Sequence, residues 1–489
     1  MKLTTVLRRA GLVADTGGHD PDVIGISADS RQIGPGMIFA ALPGSRADGR
    51  AYIAQALQQG ACGLVSTPDA CAQYEGHGIA CIATHDPRHA LAVMAAALIP
   101  VMPGHVVAVT GTNGKTSTVE FLRQIWRHEG RMAASIGTLG IVSPDAPVPA
   151  GPSLTTPDSV TVAKTLGALG EHGVTDVAME ASSHGLEQRR LDGVPITAAG
   201  FSNLTRDHLD YHGSTDAYRT AKLRLFDTLL PDGGLAAANA DMDPATLDAL
   251  RTIAARRGLQ LRLVGERGDT IRLLCALPRP EGQVLTLEHG GATREVSIPL
   301  PGRFQVDNLL LAAALSGPQD ADITAALDCL PFLTGVRGRM EHAATLPNGA
   351  AIYVDYAHTP DALERLLLSL RPHATGRLVA VFGAGGDRDR GKRPLMGGVA
   401  ARLADDVIVT DDNPRSEEAA TIRQQIMAAA PAASNIGGRR QAIAEGLSRL
   451  KAGDVMVVAG KGHEQGQIIG TTVLPFDDVS IIRELTGNS

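Results

Sequence analysis

The run Thr110-Gly111-Thr112-Asn113-Gly114-Lys115-Thr116-Ser117 has residue types suited to one task, the holding of phosphate. Glycines let backbone N–H groups turn around an anion. A lysine can reach the β- and γ-phosphates, and a threonine hydroxyl can serve Mg²⁺. An apolar run, Val106 to Val109, precedes this stretch, and a segment with helical spacing, Thr118 to His128, follows it. Strand, glycine loop and helix is the context such a loop needs, because the helix N-terminus adds partial positive charge. The usual pattern G-x-x-x-x-G-K-[ST] puts a glycine where this chain has Val109, so the loop is a variant that opens at Gly111. ATP binding is the expectation, weighed against a plain tight turn in a chain with 55 glycines.

Other chemistry-bearing residues stand just past apolar runs. Glu180 ends Val177-Ala178-Met179, and His208 lies in Arg206-Asp207-His208-Leu209-Asp210-Tyr211-His212-Gly213, after the run Ala198 to Phe201. With Thr116 they could ligate Mg²⁺, which takes few protein ligands and keeps waters and substrate oxygens. Singly, each reads as a capped loop residue. Lys222 lies on the amphipathic stretch Tyr218 to Phe226, where spacing alone reads as a solvated helix face. Toward the C-terminus, Arg388, Arg390, Lys392 and Arg393 suit an anion, Arg415 offers a planar fork for a carboxylate, and Glu464 could receive an ammonium. A pocket with Arg at one end and Glu at the other would suit a zwitterionic amino acid; surface ion pairing is the plainer alternative.

The elements that must position these residues read as α/β throughout. The chain has 489 residues, enough for about three domains of ordinary size. Residues 1–100 carry strand-like Val23 to Ser27, Met37 to Leu42 and Ala61 to Val65, and a helix over Ala51 to Gln59. The polar loops between them, at Ala28 to Arg31 and Gly44 to Gly49, lie at strand ends, where α/β ligands gather. Residues 101–335 form a phosphate-loop domain with a mostly parallel sheet, a helix over Thr215 to Leu229 and an antiparallel hairpin turning at His289-Gly290-Gly291. Its last helix, within Gly302 to Leu315, is expected to start near Asp307-Asn308. Residues 336–489 form a third, Rossmann-like α/β unit. There the apolar runs Ile352 to Val354, Leu378 to Phe382, Val407 to Val409 and Val455 to Ala459 each empty into a polar loop.

Composition narrows the partners. Net charge is -7 and aromatic residues make up 3%, which argues against a nucleic-acid platform. The five cysteines are scattered with no C-x-x-C pair and read as buried free thiols in a reducing compartment. There is no apolar signal region after Arg8-Arg9 and no membrane-spanning run, so a soluble, cytoplasmic protein is expected; it is taken as a monomer, though nothing in the sequence sets its oligomeric state.

Taken together, the motifs resemble the Mur ligase family of peptidoglycan synthesis nearly end to end. The resemblance rests on Asp29-Ser30-Arg31, the loop at 110–117, Leu154-Thr155-Thr156, the stretch Met179 to Leu186, Arg206 to Gly213, Gly338-Arg339-Met340-Glu341, Asp355 to Pro360, Gly385 to Pro394, Asp411 to Arg415 and Gly460 to Glu464. It implies an ATP-dependent amide ligase. ATP would phosphorylate the D-Glu γ-carboxylate of UDP-MurNAc-L-Ala-D-Glu, and the amine of meso-diaminopimelate would attack the acyl phosphate to give the amide, ADP and phosphate. It also implies roles. Gly111, Thr112, Asn113, Gly114, Lys115, Thr116 and Ser117, with Asn308, Arg339, Asp355 and His358, would bind ATP. Thr116, Glu180, His208 and Lys222 would serve Mg²⁺, with Lys222 carrying a carbamate derived from CO₂. Ala28, Ser30, Ser45, Arg46 and Ala47 would meet the UDP-sugar, and Leu154, Thr155, Thr156, Ser182, Gln188 and Arg190 its peptide end. Arg388, Asp412, Asn413, Pro414, Arg415, Gly460 and Glu464 would hold the amino acid. Arg415 would pair with the distal carboxylate of diaminopimelate and repel the ammonium of lysine. The rivals are a folylpolyglutamate synthase, which shares the ATPase and third domain, and a nucleotide-binding protein without catalysis.

Overall fold

Runs of Val, Ala and Ile with no polar alternation make strands buried on both faces, and here they line up in parallel. In the computed structural model, residues 1–44, 48–148, 154–205, 209–279 and 282–487 are described. They fall into two compact units, Met1–Thr270 with Leu311–Ile323, and Ile271–Leu310 with Thr324–Ser489.

The first unit holds two sheets. A four-stranded parallel sheet runs Gly25–Ser27, Met37–Ala40, Gly63–Ser66, Ala80–Ala83. The expected helix over residues 51–59 is a 3₁₀ turn, Gly49–Tyr52, followed by the α-helix Ile53–Gln58. The other sheet is parallel through Gln260–Gly265, Leu235–Asn239, Ile196–Phe201, His105–Thr110, Asp176–Glu180 and Ala133–Gly137, with Gly140–Val142 antiparallel to the last. Strand His105–Thr110 sits between the strands that end at Phe201 and Glu180. Val106, Val107, Ala108 and Val109 are all buried. Val109 therefore belongs to the strand, which is why the loop opens two residues later.

Two helices depart from the expected bounds. The helix after the loop starts at Lys115 and runs to His128, because left-handed Gly114 (φ 85°) turns the chain straight into it. The helix over residues 215–229 is α-helical only through Thr215–Arg224. Its last turn, Leu225–Leu229, is a π-turn that delivers buried Leu225 and Phe226 to the core.

In the second unit the antiparallel strands Ile271–Arg279, Gly282–His289 and Ala292–Ile298 include the expected hairpin, with Gly290 and Gly291 both at positive φ in the turn. The following helix begins at Arg303, earlier than Asp307, because Gly302 (φ 85°) already breaks the chain ahead of it. A second sheet runs Glu341–Thr345, Ala351–Asp355, Val455–Ala459, Leu378–Phe382, Asp406–Val409, Ser434–Asn435, parallel except for its first pair. Thr359 caps helix Pro360–Leu370 by accepting from Ala362 N, as its type and the proline after it lead one to expect.

All five cysteines are free, but only Cys71 is buried, and Cys275 is exposed on an antiparallel strand. Among the described residues no helix is long and apolar enough to cross a membrane.

Candidate active site

In the first unit the site is built at the C-terminal ends of adjacent parallel strands. Gly114 is the N-cap of helix Lys115–His128 and offers no side chain to the first helical N–H groups. Those donors and the helix dipole face the loop. Lys115 Nζ curls back to donate to Gly111 O and Thr112 O, each at 2.8 Å. The loop is pinned from the neighbouring strand end. Asn203 O accepts from Thr112 N at 2.8 Å, Asn203 Oδ1 accepts from Asn113 N at 3.0 Å, and Ser202 Oγ donates to Asn113 O at 2.5 Å. Gly111 sits at φ 143°, and a Cβ there would collide with Ser202 Oγ, so this close approach needs glycine.

On the other side of the loop, Thr116 Oγ1 donates to Glu180 Oε1 at 3.0 Å. Glu180 is buried, and the same oxygen accepts from Thr138 N at 2.7 Å. Thr138 Oγ1 lies 3.1 Å from Thr155 Oγ1, and Thr156 Oγ1 donates to Glu180 O at 2.9 Å and accepts from Ser182 N at 3.0 Å. Ser182 also caps helix Ser183–Glu187. Arg190 donates to Thr156 O at 2.6 Å and to Gln188 Oε1 at 2.7 Å. Burial lowers its pKa, with Asp158 opposing. Lys222 is 1% exposed; its Nζ donates to Gly111 O at 2.7 Å and stands 4.5 Å from the Tyr218 ring centroid.

In the second unit Asp355 accepts from Met340 N and Ala357 N, both at 2.8 Å, and burial raises its pKa against the pull of Arg339. The Arg339 guanidinium stacks 5.2 Å from the Tyr356 ring, whose other neighbours are His358 and His463. Asn308 is buried on helix Arg303–Ala314. A separate cluster gathers around Asn413. Its Nδ2 donates to Glu464 Oε2 at 2.8 Å, and its Oδ1 accepts from Lys461 Nζ at 3.1 Å and Ile468 N at 2.9 Å. Fully buried Lys461 also reaches Glu464 Oε2 at 3.1 Å. Burial raises the pKa of Asp412, opposed by Arg439 and Lys461. Arg415 Nη1 donates to Gly386 O at 2.9 Å and would lie 2.8 Å from a Cβ on Gly385, with Arg388 Cγ at 3.8 Å from the same point. Cationic Arg388 and Arg415 thus flank one glycine, while Lys461, Asn413 and Glu464 form a polar knot beside them.

Residues 22–105 match the model described as Mur ligase family, catalytic domain; residues 109–316 match the Mur ligase middle domain; residues 338–462 match the Mur ligase glutamate ligase domain. The chain belongs to the Mur ligase family. A relative from Caulobacter vibrioides, named UDP-N-acetylmuramoyl-L-alanyl-D-glutamate–2,6-diaminopimelate ligase, is 50% identical over 466 residues, 94% of this chain and 95% of its own. One of the same name from Zymomonas mobilis is 45% identical over 486 residues, 98% of each chain. A solved structure titled with that enzyme name superposes with a TM-score of 0.72 at 34% identity, covering 95% of each chain. The folylpolyglutamate synthase of Mycobacterium tuberculosis, complexed with ADP, shares the fold at 18% identity and a TM-score of 0.57 over 73% of this chain.

Against the expectations for this Mur ligase, the structure brings Gly111 to Ser117, Glu180, Thr155, Thr156, Ser182 and Lys222 into one neighbourhood, with Gln188 and Arg190 hydrogen-bonded to its rim. Leu154 is exposed beside it. His208 and Ser45, Arg46 and Ala47 lie outside the described residues. Ala28 is exposed and Ser30 buried, at the start of a short 3₁₀ helix capped by Asp29. Lys222 is not on a solvated face as its spacing alone suggested: helix Thr215–Arg224 turns that face onto the loop. Sequence reasoning assigned no role to Thr138, Ser202, Asn203, Tyr218 or Lys461. Thr138 and Ser202 each directly follow a buried strand, and that rule would have found them. A hydroxyl and a carboxylate at Thr116 and Glu180 are hard oxygen donors of the kind Mg²⁺ takes, so the residues fit that ion.

Proposed function

We propose that this Mur ligase joins meso-diaminopimelate to the D-Glu γ-carboxylate of UDP-MurNAc-L-Ala-D-Glu with hydrolysis of ATP to ADP and phosphate. A free carboxylate is a poor electrophile. Transfer of the γ-phosphoryl group to it gives an acyl phosphate, and attack by the amine then expels phosphate and forms the amide. The chain's own work is positioning and charge neutralisation. Lys115 and the amides of Gly111 to Ser117 hold the phosphates in place. Asn308, Arg339, Asp355 and His358 serve the nucleotide's other end. Thr155, Thr156, Ser182, Gln188 and Arg190 orient the peptide carboxylate, and Ala28, Ser30, Ser45, Arg46 and Ala47 the UDP-sugar. Thr116 and Glu180, with His208, would hold Mg²⁺, which would neutralise charge on the phosphates. Lys222 as a carbamate keeps one N–H for Gly111 O and gains an acidic group in place of an ammonium. Arg388, Asp412, Asn413, Pro414, Arg415, Gly460 and Glu464 receive the amino acid. Arg415 faces its distal carboxylate, which excludes lysine.

The observation that carries this reading is Glu180, buried at a strand end and hydrogen-bonded to the threonine that follows the loop lysine. A buried carboxylate paired with that hydroxyl beside a glycine loop supports phosphoryl chemistry. The test is phosphate release from ATP in the presence of UDP-MurNAc-L-Ala-D-Glu and each candidate amine. Release with diaminopimelate and none with lysine is expected. Release only with glutamate and a folate would replace the reading with the folylpolyglutamate one, and nucleotide binding without any turnover would leave a non-catalytic binder.

A further inference from the structure

Strands Gly466–Ile469 and Thr472–Pro475 form a two-stranded antiparallel sheet, a hairpin turning at Gly470 (φ 59°). A lone two-stranded hairpin is marginal in water. This one has no apolar core of its own: Ile469, Val473 and Leu474 are exposed. Its one buried side chain is polar. Gln467 is 8% exposed and donates from Nε2 to Asp412 O at 2.6 Å. From there the strand is laid against the next three residues of the loop after strand Asp406–Val409. Ile468 N donates to Asn413 Oδ1 at 2.9 Å, Arg415 N donates to Ile468 O at 3.1 Å, and Gly470 N donates to Arg415 O at 2.8 Å. Arg415 and Ile469 form a parallel bridge.

The residue so gripped is one that needs gripping. Arg415 has φ 50°, the left-handed region, which a non-glycine residue occupies only when its surroundings over-determine it. Both its N–H and its C=O are fixed by the hairpin, and that backbone setting fixes where the guanidinium leaves the chain, beside Gly385 and Arg388.

We propose that the hairpin Gly466–Pro475, anchored by Gln467, is a specificity-positioning element: it holds Arg415 in its left-handed conformation and thereby sets the selection of a dicarboxylic diamino acid over lysine. The inference rests on the reading of Arg415 as the partner of the amino acid's distal carboxylate. Gln467 touches no substrate in this scheme; it acts through Arg415.

The experiment compares steady-state kinetics of Gln467→Met, Gly470→Ala and Arg415→Met with the unaltered enzyme, using diaminopimelate and lysine as amines. Gln467→Met removes the anchoring donor and keeps an apolar stem. Gly470→Ala strains the turn without touching a side-chain contact, since a Cβ there meets nothing within 4 Å. Val473→Thr, exposed on the far strand, is the control. Both hairpin variants should raise KM for diaminopimelate about tenfold and lower the diaminopimelate-to-lysine ratio of kcat/KM by a similar factor, with KM for ATP and the nucleotide dipeptide and kcat nearly unchanged. A hairpin that is merely structural would move all KM values together with the melting temperature, and that pattern overturns the proposal. If Arg415→Met raises KM for diaminopimelate while neither hairpin variant does, the positioning role is wrong and the Arg415 reading stands. If Arg415→Met itself leaves KM unchanged, the Arg415 reading fails, and the positioning role with it.

Discussion

Thr116 Oγ1 and Glu180 Oε1 are 3.0 Å apart, joining the first turn of the loop helix to the end of the adjacent parallel strand. The hydroxyl proton is spent on the carboxylate, so the threonine oxygen keeps its lone pairs for a cation. Thr116→Ala removes one cation donor, and Glu180→Gln removes the local negative charge. Each should lower kcat by about 10²-fold or more, as loss of a preorganised charge-stabilising group does. Mg²⁺ titration of turnover should show a raised requirement in Thr116→Ala, while far-UV circular dichroism stays unchanged. A Glu180→Gln enzyme with full activity at ordinary Mg²⁺ would show that the carboxylate serves packing alone.

Gly137 gives a second handle on the same carboxylate. A Cβ there would overlap Glu180 Oε1 and lie 2.7 Å from its Cδ and Cγ. The strand residue can only be glycine while Glu180 keeps this rotamer. Gly137→Ala should therefore push the carboxylate away from Thr116 and Thr138 N. The expected outcome is a kcat loss close to that of Glu180→Gln, with nucleotide-dipeptide KM changed less than kcat. A crystal structure of Gly137→Ala would show the displaced side chain.

How much of this was legible beforehand depended on whether one residue or a fold decided the matter. The loop and its flanking strand and helix were written locally, in Gly114, Lys115 and the run ending at Val109, and the structure departs only by starting the helix three residues earlier. The four buried strands around Asp355, Phe382, Val409 and Ala459 were legible for the same reason, as unbroken apolar runs with polar ends. Lys222 was not. Its spacing on an amphipathic stretch is that of a wet face, and only the placement of helix Thr215–Arg224 over Gly111 buries it; the family resemblance singled the residue out, but neither it nor the pattern placed the helix. The π-turn at Leu225–Leu229 has no local signal either, since its cause is where Phe226 must pack. Asn203 was hidden because strand order, which sets whose ends are neighbours, is a non-local property.

Glu417 carries a pH prediction. Its carboxylate receives both ends of the buried Arg393 guanidinium, at 2.9 and 3.0 Å, and Asp387 N at 2.7 Å. Arg393, followed by the Asp387 amide, pulls its pKa from 4.5 to about 2. A carboxylate depressed on folding stabilises the protein fully above its unfolded pKa and loses that contribution as pH falls toward the folded value. Glu417→Gln should thus melt below the unaltered enzyme at neutral pH, and the gap should narrow as pH drops from about 5 toward 3. Scanning calorimetry of the pair across that window checks it. A gap that widens with acid would mean that Glu417 is not the partner that keeps Arg393 buried.

The last prediction separates two chemical states of Lys222. As an ammonium, it donates to Gly111 O at 2.7 Å and faces the Tyr218 ring at 4.5 Å, and its task would be to brace the loop. As a carbamate, Nζ would keep a single hydrogen, enough for Gly111 O, and the new carboxylate would add to the oxygen donors Thr116 and Glu180 proposed for Mg²⁺. Both states make Lys222→Ala inactive, so the loss of about 10²-fold or more expected there decides nothing by itself. Rescue does. A missing carboxylate should be replaced by formate or acetate, with activity rising with the anion's concentration, and a missing ammonium by methylamine or ethylamine. The carbamate also forms only from a neutral amine and CO₂, so the unaltered enzyme should lose activity in CO₂-depleted buffer and recover it on adding bicarbonate. Recovery of Lys222→Ala by carboxylates together with that CO₂ dependence is the expected result. Rescue by amines alone, with no response to CO₂, would assign Lys222 to the loop and remove it from the metal site.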